Sequence, residues 1–272
     1  NLIDHQLFLA RDPLGIKPLY ISSDQKSFRF ASQVKALLKS SKCDTTPEPA
    51  GHIGFFTWGH VPEPFTFFKG IRALEAGSCL VVEQCGEQHT HKYFTFSSEY
   101  RKCENHVREE EIRPEDLNFA ADLIESVDLH TMADVDVGVF LSGGRDSITL
   151  AGIASSLARY NGPRKLKTIT LGFEEFTGTP HNEVPDASRI AEQISSEHKV
   201  KMITYDDFQS NYSEFILAMD QPTIDGINTY FVSKAAKEAN LKVVLSGLGA
   251  DEFFGGYPSF DKIPKIIKIF KF

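Results

Sequence analysis

The sequence predicts an α/β fold with a parallel sheet in its second half, preceded by a smaller α+β part. From residue 135 onward, apolar strand-like runs and amphipathic helical runs alternate, which is typical of a parallel sheet covered on both faces. Before residue 97 the chain consists mainly of short strand-like runs separated by turn residues. A length of 272 residues suits two domains.

The α+β part begins with three predicted strands, at residues 6–10, 18–22 and 28–31. Ser32 is a candidate N-cap for a short helix that ends at Leu38, because the apolar residues between them then share one face. After Pro47-Glu48-Pro49, further β-rich pieces are predicted up to Phe96, including a strand at Ser78–Val82.

The two parts are joined by a polar, charged stretch from Ser97 to Pro114, which we interpret as a linker. Pro114 is predicted to begin a helix. Strands then follow at 135–141, 167–173, 199–204 and 241–246, and helices at 146–160, 184–196, 207–219 and 228–240. The predicted domains are therefore 1–97, the linker 98–113, and 114–272.

Composition and charge exclude several classes of function. The net charge is −8, so the chain is a poor candidate for nucleic-acid binding, and it contains no apolar run long enough for a transmembrane helix. The first residues do not resemble a signal peptide, and the four cysteines form no CxxC pair, so a cytoplasmic protein with reduced thiols is expected. A zinc site is disfavoured because the spacing fits no common pattern, although four ligand-type residues lie close in sequence: Cys79, Cys85, His89 and His91. The chain begins with Asn1 rather than Met, and we interpret it as a fragment.

A candidate phosphate-binding loop follows the first strand of the α/β part. The strand runs into Ser142-Gly143-Gly144, and the next helix begins with Arg145-Asp146-Ser147. Glycines allow the backbone to approach a ligand, and the free N–H groups at the helix N-terminus suit pyrophosphate. Asp146 cannot bind phosphate directly, so it is predicted to bind a divalent cation. The alternative, a plain strand-to-helix turn with a capping aspartate, is less favoured because of the strand before it and the Asp-Ser after it.

A second loop matches the first. The last predicted strand runs into Ser246-Gly247-Leu248-Gly249, followed by Asp251 and Glu252. Because ligands of open parallel sheets bind at the carboxyl ends of the strands, the two loops are expected to meet over one pocket. Asp146 and Asp251 would then share a Mg²⁺ ion bound to a triphosphate. A capped helix start with a solvated acidic pair is the alternative.

These residues resemble a known family. Ser142–Ser147 is similar to the SGGxDS loop of the ATP-pyrophosphatase group, and Ser246–Tyr257 is similar to a loop of glutamine-hydrolysing asparagine synthetases. Ala10–Tyr20 and Phe30–Leu37 resemble the later part of their N-terminal-nucleophile, class II glutaminase domain. Met219–Pro222 and Pro258–Phe260 most resemble the bacterial branch associated with exopolysaccharide clusters.

The resemblance implies a ligase of asparagine biosynthesis that uses ATP, Mg²⁺, aspartate, and ammonia from glutamine, and that is a homodimer at full length. Aspartate would be activated as an aspartyl-adenylate, with release of pyrophosphate, and then amidated. The residues it assigns to catalysis are Asp146, Asp251 and Glu252, of which Asp146 and Asp251 bind the metal and Glu252 orders the loop. The residues it assigns to ATP are Phe140, Leu141, Ser142, Gly143, Gly144, Asp146, Ser147, Leu171, Ser246 and Gly247; among them Phe140, Leu171, Ser246 and Gly247 match positions that line the adenosine site.

Departures from the family pattern keep two alternatives open. No cysteine of the chain can serve as the N-terminal glutaminase nucleophile, so the fragment is expected to lack glutaminase activity and to be inactive alone. Leu248 stands where many asparagine synthetases have Glu, and Arg145 where Leu is commoner. The alternatives are a β-lactam-synthetase-like enzyme that adenylates another carboxylate, and a non-catalytic paralogue. The basic, apolar stretch 263–272 is interpreted as the beginning of a core helix rather than a membrane-binding segment.

Overall fold

The computed structural model describes residues 5–24, 26–40, 42–110, 118–160 and 165–270. The chain divides into two compact units. Unit 1 contains residues 1–117 and 214–226, and unit 2 contains residues 118–213 and 227–272. The chain therefore passes from one unit to the other at three points, after residues 117, 213 and 226.

Unit 1 is built on two antiparallel sheets of three strands each. One sheet has the order β1-β5-β6, with strands Leu7–Ala10, Ser78–Val82 and Gln88–Lys92. The other has the order β3-β2-β4, with strands Phe28–Ala31, Tyr20–Ser23 and Arg72–Ala73. The three strands predicted at the beginning of the chain and the strand at Ser78–Val82 are confirmed.

Among the described residues, three helices lie entirely within unit 1: α1 (Val34–Leu38), α2 (Pro49–Trp58) and α3 (Phe96–Glu110). The β-rich prediction directly after Pro47-Glu48-Pro49 was wrong, because residues 49–58 form α2. Glu48 caps this helix by accepting a hydrogen bond from the Ala50 N–H at 3.2 Å, and Pro49 occupies its first turn. The aromatic residues of the segment favoured a strand, but its glycines allow a helix to pack closely: a Cβ on Gly51 would lie 2.1 Å from the Thr66 carbonyl oxygen.

The prediction of Ser32 as the cap of α1 was also wrong. Gln33 is the N-cap residue and its side chain accepts no hydrogen bond from the helix. The N–H groups of Val34 and Lys35 donate instead to Asp220, which is 185 positions or more away in sequence. A cap supplied from so far along the chain leaves no local signal in the sequence.

The segment Ala10–Tyr20 is held together by the side chain of Arg11, which is only 4% exposed. Its guanidinium donates to both oxygens of Glu63 at 2.6 and 2.7 Å, and to the carbonyl oxygens of Gly15, Lys17 and Leu74. A buried guanidinium is stable only when its donors are paired in this way. Arg11 therefore stabilises the fold of unit 1.

Unit 2 contains a parallel sheet of four strands in the order β10-β7-β8-β9. The strands are β7 (Val137–Phe140), β8 (Lys167–Phe173), β9 (Glu197–Ile203) and β10 (Val243–Leu245). The helices are α4 (Phe119–Thr131), α5 (Arg145–Tyr160), α6 (Val184–Gln193), α7 (Tyr205–Ala218), α8 (Gly226–Glu238), α9 (Ala250–Phe254) and α10 (Pro258–Phe270); the last residues of α7 and the first of α8 are counted in unit 1. The predicted parallel α/β fold is confirmed.

Both faces of this sheet are covered. Val139 packs in a core with α5 and α6, whereas the next residue, Phe140, packs against a core formed by Ile169, Leu241 and α8. Successive side chains of a strand point to opposite faces, so these two cores lie on the two sides of the sheet. This arrangement leaves the ends of the strands as the accessible edges of unit 2.

The predicted linker, residues 98–113, overlaps most of helix α3 (Phe96–Glu110), and the predicted helix start at Pro114 lies outside the described residues. The next described helix, α4, begins after Asn118, whose side chain accepts a hydrogen bond from the Ala121 N–H at 3.4 Å. In the part of the chain that the structure describes, no helix is both long and apolar enough to span a bilayer. The apolar residues of α10, such as Ile263 and Ile266, are exposed in this structure.

Candidate functional site

The first predicted loop lies at the carboxyl end of β7, where the chain passes through Ser142–Gly144 into α5. Leu141 anchors the loop: its N–H donates to the Ile169 carbonyl at 2.9 Å, and its own carbonyl accepts from the Thr170 hydroxyl at 2.5 Å. α5 is 16 residues long, with Asp146 in its first turn. The loop therefore lies at the positive end of a helix macrodipole, as an anion-binding loop requires.

Ser147 orders this loop. Its hydroxyl oxygen accepts from the Ser142 N–H at 3.1 Å and lies 2.9 Å from the Ser142 hydroxyl oxygen. The same oxygen is 3.0 Å from the Gly144 carbonyl, and the Ser142 hydroxyl accepts from the Gly144 N–H at 3.1 Å. Ser147 is 7% exposed, so these contacts are largely shielded from water. The two serines therefore hold the loop in a defined conformation.

A further acidic residue at this loop was missed by the sequence reasoning. Glu183, which directly precedes α6, accepts a hydrogen bond from the Gly143 N–H at 3.4 Å. The N–H group is thus directed at an anion, here a carboxylate of the protein. The sequence carries no local signal for this contact, because 40 residues separate the two partners.

The second predicted loop lies at the carboxyl end of β10 and leads into α9. Gly249 has a φ of 98°, a left-handed conformation for which glycine is favoured. The chain leaves α9 through Gly255, and the Gly256 N–H donates to the Asp251 carbonyl at 2.9 Å. A Cβ on Gly256 would lie 1.8 Å from Oδ1 of Asp251, so a larger residue there would displace the Asp251 carboxylate. These glycines place Asp251 and Glu252 in the first turn of α9.

The structure brings the two loops into contact. β10 and β7 are adjacent parallel strands, with Leu245 opposite Val139. A Cβ on Gly247 would lie 3.1 Å from the Asp146 Cβ and 3.1 Å from the Ser147 nitrogen. The backbone of the second loop therefore lies directly against the first turn of α5. The geometry agrees with the prediction that both loops border one site.

The site has a negative electrostatic character. The Tyr257 hydroxyl donates to Oε1 of Glu252 at 2.9 Å. This hydrogen bond, together with burial and the charges of Glu252, Asp251 and Asp146, raises the pKa of Tyr257. Carboxylates from both loops thus act on the same hydroxyl group. The ordinary pKa of tyrosine is already 10.0, so Tyr257 is protonated at neutral pH, and the raised pKa extends its role as a donor to more alkaline pH.

This arrangement suits a metal–nucleotide complex better than a free metal ion. Among the described residues, no group of three or more His, Cys, Asp and Glu side chains is placed to hold a metal ion. Mg²⁺ in nucleotide sites is commonly held by one or two carboxylates, with phosphate oxygens and water as the remaining ligands. Asp146 and Asp251 are a donor set of that kind, while a triphosphate without a cation would be repelled by the surrounding carboxylates.

The other predicted nucleotide residues lie at strand ends but differ in exposure. Leu141 is 2% exposed and its side chain packs in the hydrophobic core, so it supports the loop by packing. Phe140 and Leu171 are half-buried residues of β7 and β8, and Ser246 is exposed directly after β10. Ser246 accepts a hydrogen bond from the Leu248 N–H at 3.3 Å. Which of them contacts a nucleotide stays a prediction.

Two cavities of unit 2 lie away from the predicted residues. One, of about 860 Å³, lies at the amino ends of the strands and is lined by Asp136, Val137 and Lys167 among others. The other, of about 530 Å³, lies at the carboxyl ends of β8 and β9, between Phe173, Ile203 and Phe208. Neither is lined by a predicted site residue. The two-loop site is therefore identified by its backbone geometry and charge rather than by its volume.

Two of the residues that depart from the family pattern are exposed. Leu248 has 91% of its surface exposed, and Arg145 is also an exposed residue. The Arg145 carbonyl accepts from the Thr149 hydroxyl within α5. Neither departure disturbs the packing of the loops.

The four-stranded parallel sheet with a Ser-Gly-Gly loop at the end of β7 defines an ATP-pyrophosphatase-type domain. Residues 118–270 match the family described as asparagine synthase, and residues 2–94 match the glutamine amidotransferase domain family. The chain belongs to the asparagine synthase family, and its fold class is confirmed by both matches.

Curated relatives agree with this assignment. A Mycobacterium tuberculosis protein, named provisionally as a glutamine-hydrolysing asparagine synthetase, is 35% identical over 98% of this chain and 41% of its own length. Asparagine synthetase [glutamine-hydrolyzing] 1 of Bacillus subtilis is 32% identical over 98% of this chain and 42% of its length. The amidase chyE of Penicillium rubens is 27% identical over 93% of this chain and 38% of its length. The chain thus spans about two fifths of the length of these relatives.

Proposed function

We propose that the protein carrying this chain uses ATP to convert aspartate into asparagine, with ammonia derived from glutamine. Membership of a family that uses ATP and combines a synthetase domain with a glutamine amidotransferase domain supports an amidating ligase. The observation that supports the proposal is the close approach of Gly247 to Asp146 and Ser147, because it brings together the loops at the carboxyl ends of two adjacent strands.

In the proposed first step, a carboxylate oxygen of aspartate attacks the α-phosphorus of ATP. The bond from this phosphorus to the bridging oxygen breaks, and pyrophosphate leaves with the electron pair. The Gly143 N–H and the first-turn N–H groups of α5 would bind the pyrophosphate oxygens, while the hydrogen bonds of Ser142 and Ser147 hold the loop in place. A phosphate oxygen would replace the Glu183 carboxylate at the Gly143 N–H.

Asp146 and Asp251 are the residues that would hold Mg²⁺, and the ion would supply neutralisation of the charge on the leaving pyrophosphate. Glu252 would order the second loop through its hydrogen bond from Tyr257. In the second step, ammonia attacks the acyl carbon of the aspartyl-adenylate, AMP leaves, and a proton is released. The net products are asparagine, AMP and pyrophosphate.

An isotope-exchange assay tests this function. The full-length protein should exchange labelled pyrophosphate into ATP only when aspartate and Mg²⁺ are both present. Asp146→Ala should abolish the exchange, and Asp122→Ala, which alters an exposed aspartate of α4, is the matched control. If the exchange did not depend on aspartate but required another carboxylic acid, the protein would instead be a β-lactam-synthetase-like enzyme. No exchange with any carboxylic acid would support the non-catalytic alternative.

A further inference from the structure

The segment 214–226 has an unusual place in the chain. It lies in sequence between elements of unit 2 and within the region that matches the asparagine synthase family, yet it is part of unit 1. The chain leaves unit 2 after Ser213 and returns to it at Ile227. We call residues 214–226 the clasp segment.

The side chain of Asp220 attaches the clasp segment to α1. Oδ2 accepts from the Val34 N–H at 2.7 Å, and Oδ1 accepts from the Lys35 N–H at 3.0 Å. These donors are first-turn N–H groups with no acceptor in the helix itself, and Val34 is completely buried. A carboxylate at a helix N-terminus forms charge-assisted hydrogen bonds and is favoured by the helix dipole. Asp220 therefore supplies the cap that the local sequence of α1 lacks.

The side chain of Lys35, in α1, binds in turn to the clasp segment. Its Nζ donates to the carbonyl oxygens of Leu217 and Ala218 at 3.1 and 3.0 Å. These are the last carbonyls of α7, where a cation is favoured for the same reason that an anion is favoured at an N-terminus. The carboxylate of Asp220 in the clasp segment thus binds the N-terminus of α1, while the ammonium group of Lys35 in α1 binds the C-terminus of α7.

Two further contacts extend the attachment beyond α1. Oε1 of Gln221 accepts from the Phe67 N–H at 3.3 Å, and the Ile224 N–H donates to the Gly59 carbonyl at 2.9 Å. The fit at Gly59 is close, because a Cβ there would lie 2.6 Å from Cδ1 of Ile224. The clasp segment is therefore attached along most of its length.

We propose that the clasp segment couples glutamine use to amidation, with Asp220 and Lys35 as its positioning residues. This inference rests on the proposed function. From the clasp the chain continues through α8 and β10 directly to the Ser246–Gly247 loop of the nucleotide site. Releasing the clasp would free the segment that connects the glutaminase-type unit with that loop. Amidation with ammonia supplied in solution does not need this connection, whereas amidation driven by glutamine does.

The experiment compares two nitrogen donors in the full-length protein. Asp220→Ala and Lys35→Met should lower the glutamine-driven rate of asparagine formation by about fivefold or more, a typical coupling effect. The rate with ammonium chloride should change by less than about twofold, and more glutamate should be released per asparagine formed. Lys39→Met, at an exposed lysine directly after α1, is the matched control and should change neither rate. Asp220→Asn should have an intermediate effect, because its amide oxygen can still accept one of the two hydrogen bonds.

If the variants lowered the rate of asparagine formation equally with glutamine and with ammonium chloride, or lowered it with neither, the proposed coupling would be overturned. Failure of the proposed function gives a different result, because the unsubstituted protein would then form no asparagine even from ammonium. The clasp can be tested in that case by hydrogen exchange: Asp220→Ala should accelerate exchange at the Val34 and Lys35 amides by about tenfold or more. Unchanged exchange at both amides would show that Asp220 does not attach the segment.

Discussion

Gly247 lies so close to Asp146 that a Cβ on the glycine would be 3.1 Å from the aspartate Cβ. The same atom would be 3.1 Å from the Ser147 nitrogen, so any side chain at position 247 presses on the first turn of α5. The contact joins the end of β10 to the loop after β7. It makes the geometry of the site sensitive to the size of residue 247.

Gly247→Ala should therefore impair the use of ATP more than it lowers the free energy of unfolding. The methyl group forces the two loops apart by a few tenths of an ångström, and small misplacements of reacting groups are costly. We expect the KM for ATP in the exchange assay to rise roughly tenfold. Gly152→Ala, in α5 where a Cβ meets nothing within 4 Å, is the control and should leave the exchange unchanged. A Gly247→Ala protein with normal KM would show that the loops are not set by this contact.

Ser147→Ala should both destabilise unit 2 and abolish the exchange. The hydroxyl accepts from the Ser142 N–H and contacts the Gly144 carbonyl, and loss of such a buried partner lowers the free energy of unfolding by ~1–3 kcal/mol. Urea titration measures the free energy of unfolding, and the pyrophosphate–ATP exchange assay measures the activity of the site. Ser156→Ala is the control, since Ser156 is an exposed residue of the same helix whose hydroxyl donates to the Gly152 carbonyl at 3.0 Å. Equal effects of both variants would contradict a special role for Ser147.

The fold of unit 2 could be predicted because its signals are local. β7 and β10 are short apolar runs, whereas β8 and β9 combine apolar with polar residues. The helices show their own periodicity, so the order of elements and the loops at the strand ends followed directly. The adjacency of the two loops followed from the general placement of ligand sites in parallel sheets. The contact of Gly247 with Asp146 agrees with that expectation.

What the sequence could not predict depends on residues far apart in the chain. The cap of α1 comes from Asp220, and the Gly143 N–H is directed at Glu183, so neither partner leaves a pattern near the group that it binds. Helix α2 was missed for a different reason. Its aromatic residues favour strands when considered alone, and its helical state depends on the close approach that Gly51 and Gly54 allow.

Glu183→Gln should strengthen nucleotide binding. The carboxylate lies at the N–H group of Gly143 that a phosphate oxygen would use, and it repels a triphosphate. Removing the charge should lower the Kd of MgATP about two- to fivefold, as measured by calorimetry. Glu192→Gln, at an exposed residue of α6, is the control with an equal change in net charge and should leave the Kd unchanged. Weaker binding in Glu183→Gln would instead show that Glu183 contributes to holding the metal–nucleotide complex.

His198 should make unit 2 less stable in mild acid. Burial lowers the pKa of this histidine below its ordinary value of 6.5, although a hydrogen bond with the Thr168 backbone opposes the shift. The Thr168 hydroxyl lies 2.9 Å from Nδ1. Its Nε2 is buried without a hydrogen-bond partner in the described structure, so a proton added there would find no acceptor. The unfolded chain takes up this proton near pH 6.5, and the folded chain takes it up only at lower pH. Stability is therefore complete above pH 6.5 and decreases as the pH falls from there toward the pKa of the folded state.

Urea unfolding at a series of pH values from 7.5 down to about 5 measures this loss. In His198→Gln the decrease in the free energy of unfolding between these pH values should be smaller than in the unsubstituted protein, because the group that takes up the proton is gone. His181→Gln, at an exposed histidine of unit 2, should retain the full decrease. If His198→Gln kept the same pH dependence as the unsubstituted protein, the acid sensitivity would have to come from other groups, and burial of His198 would not be its cause.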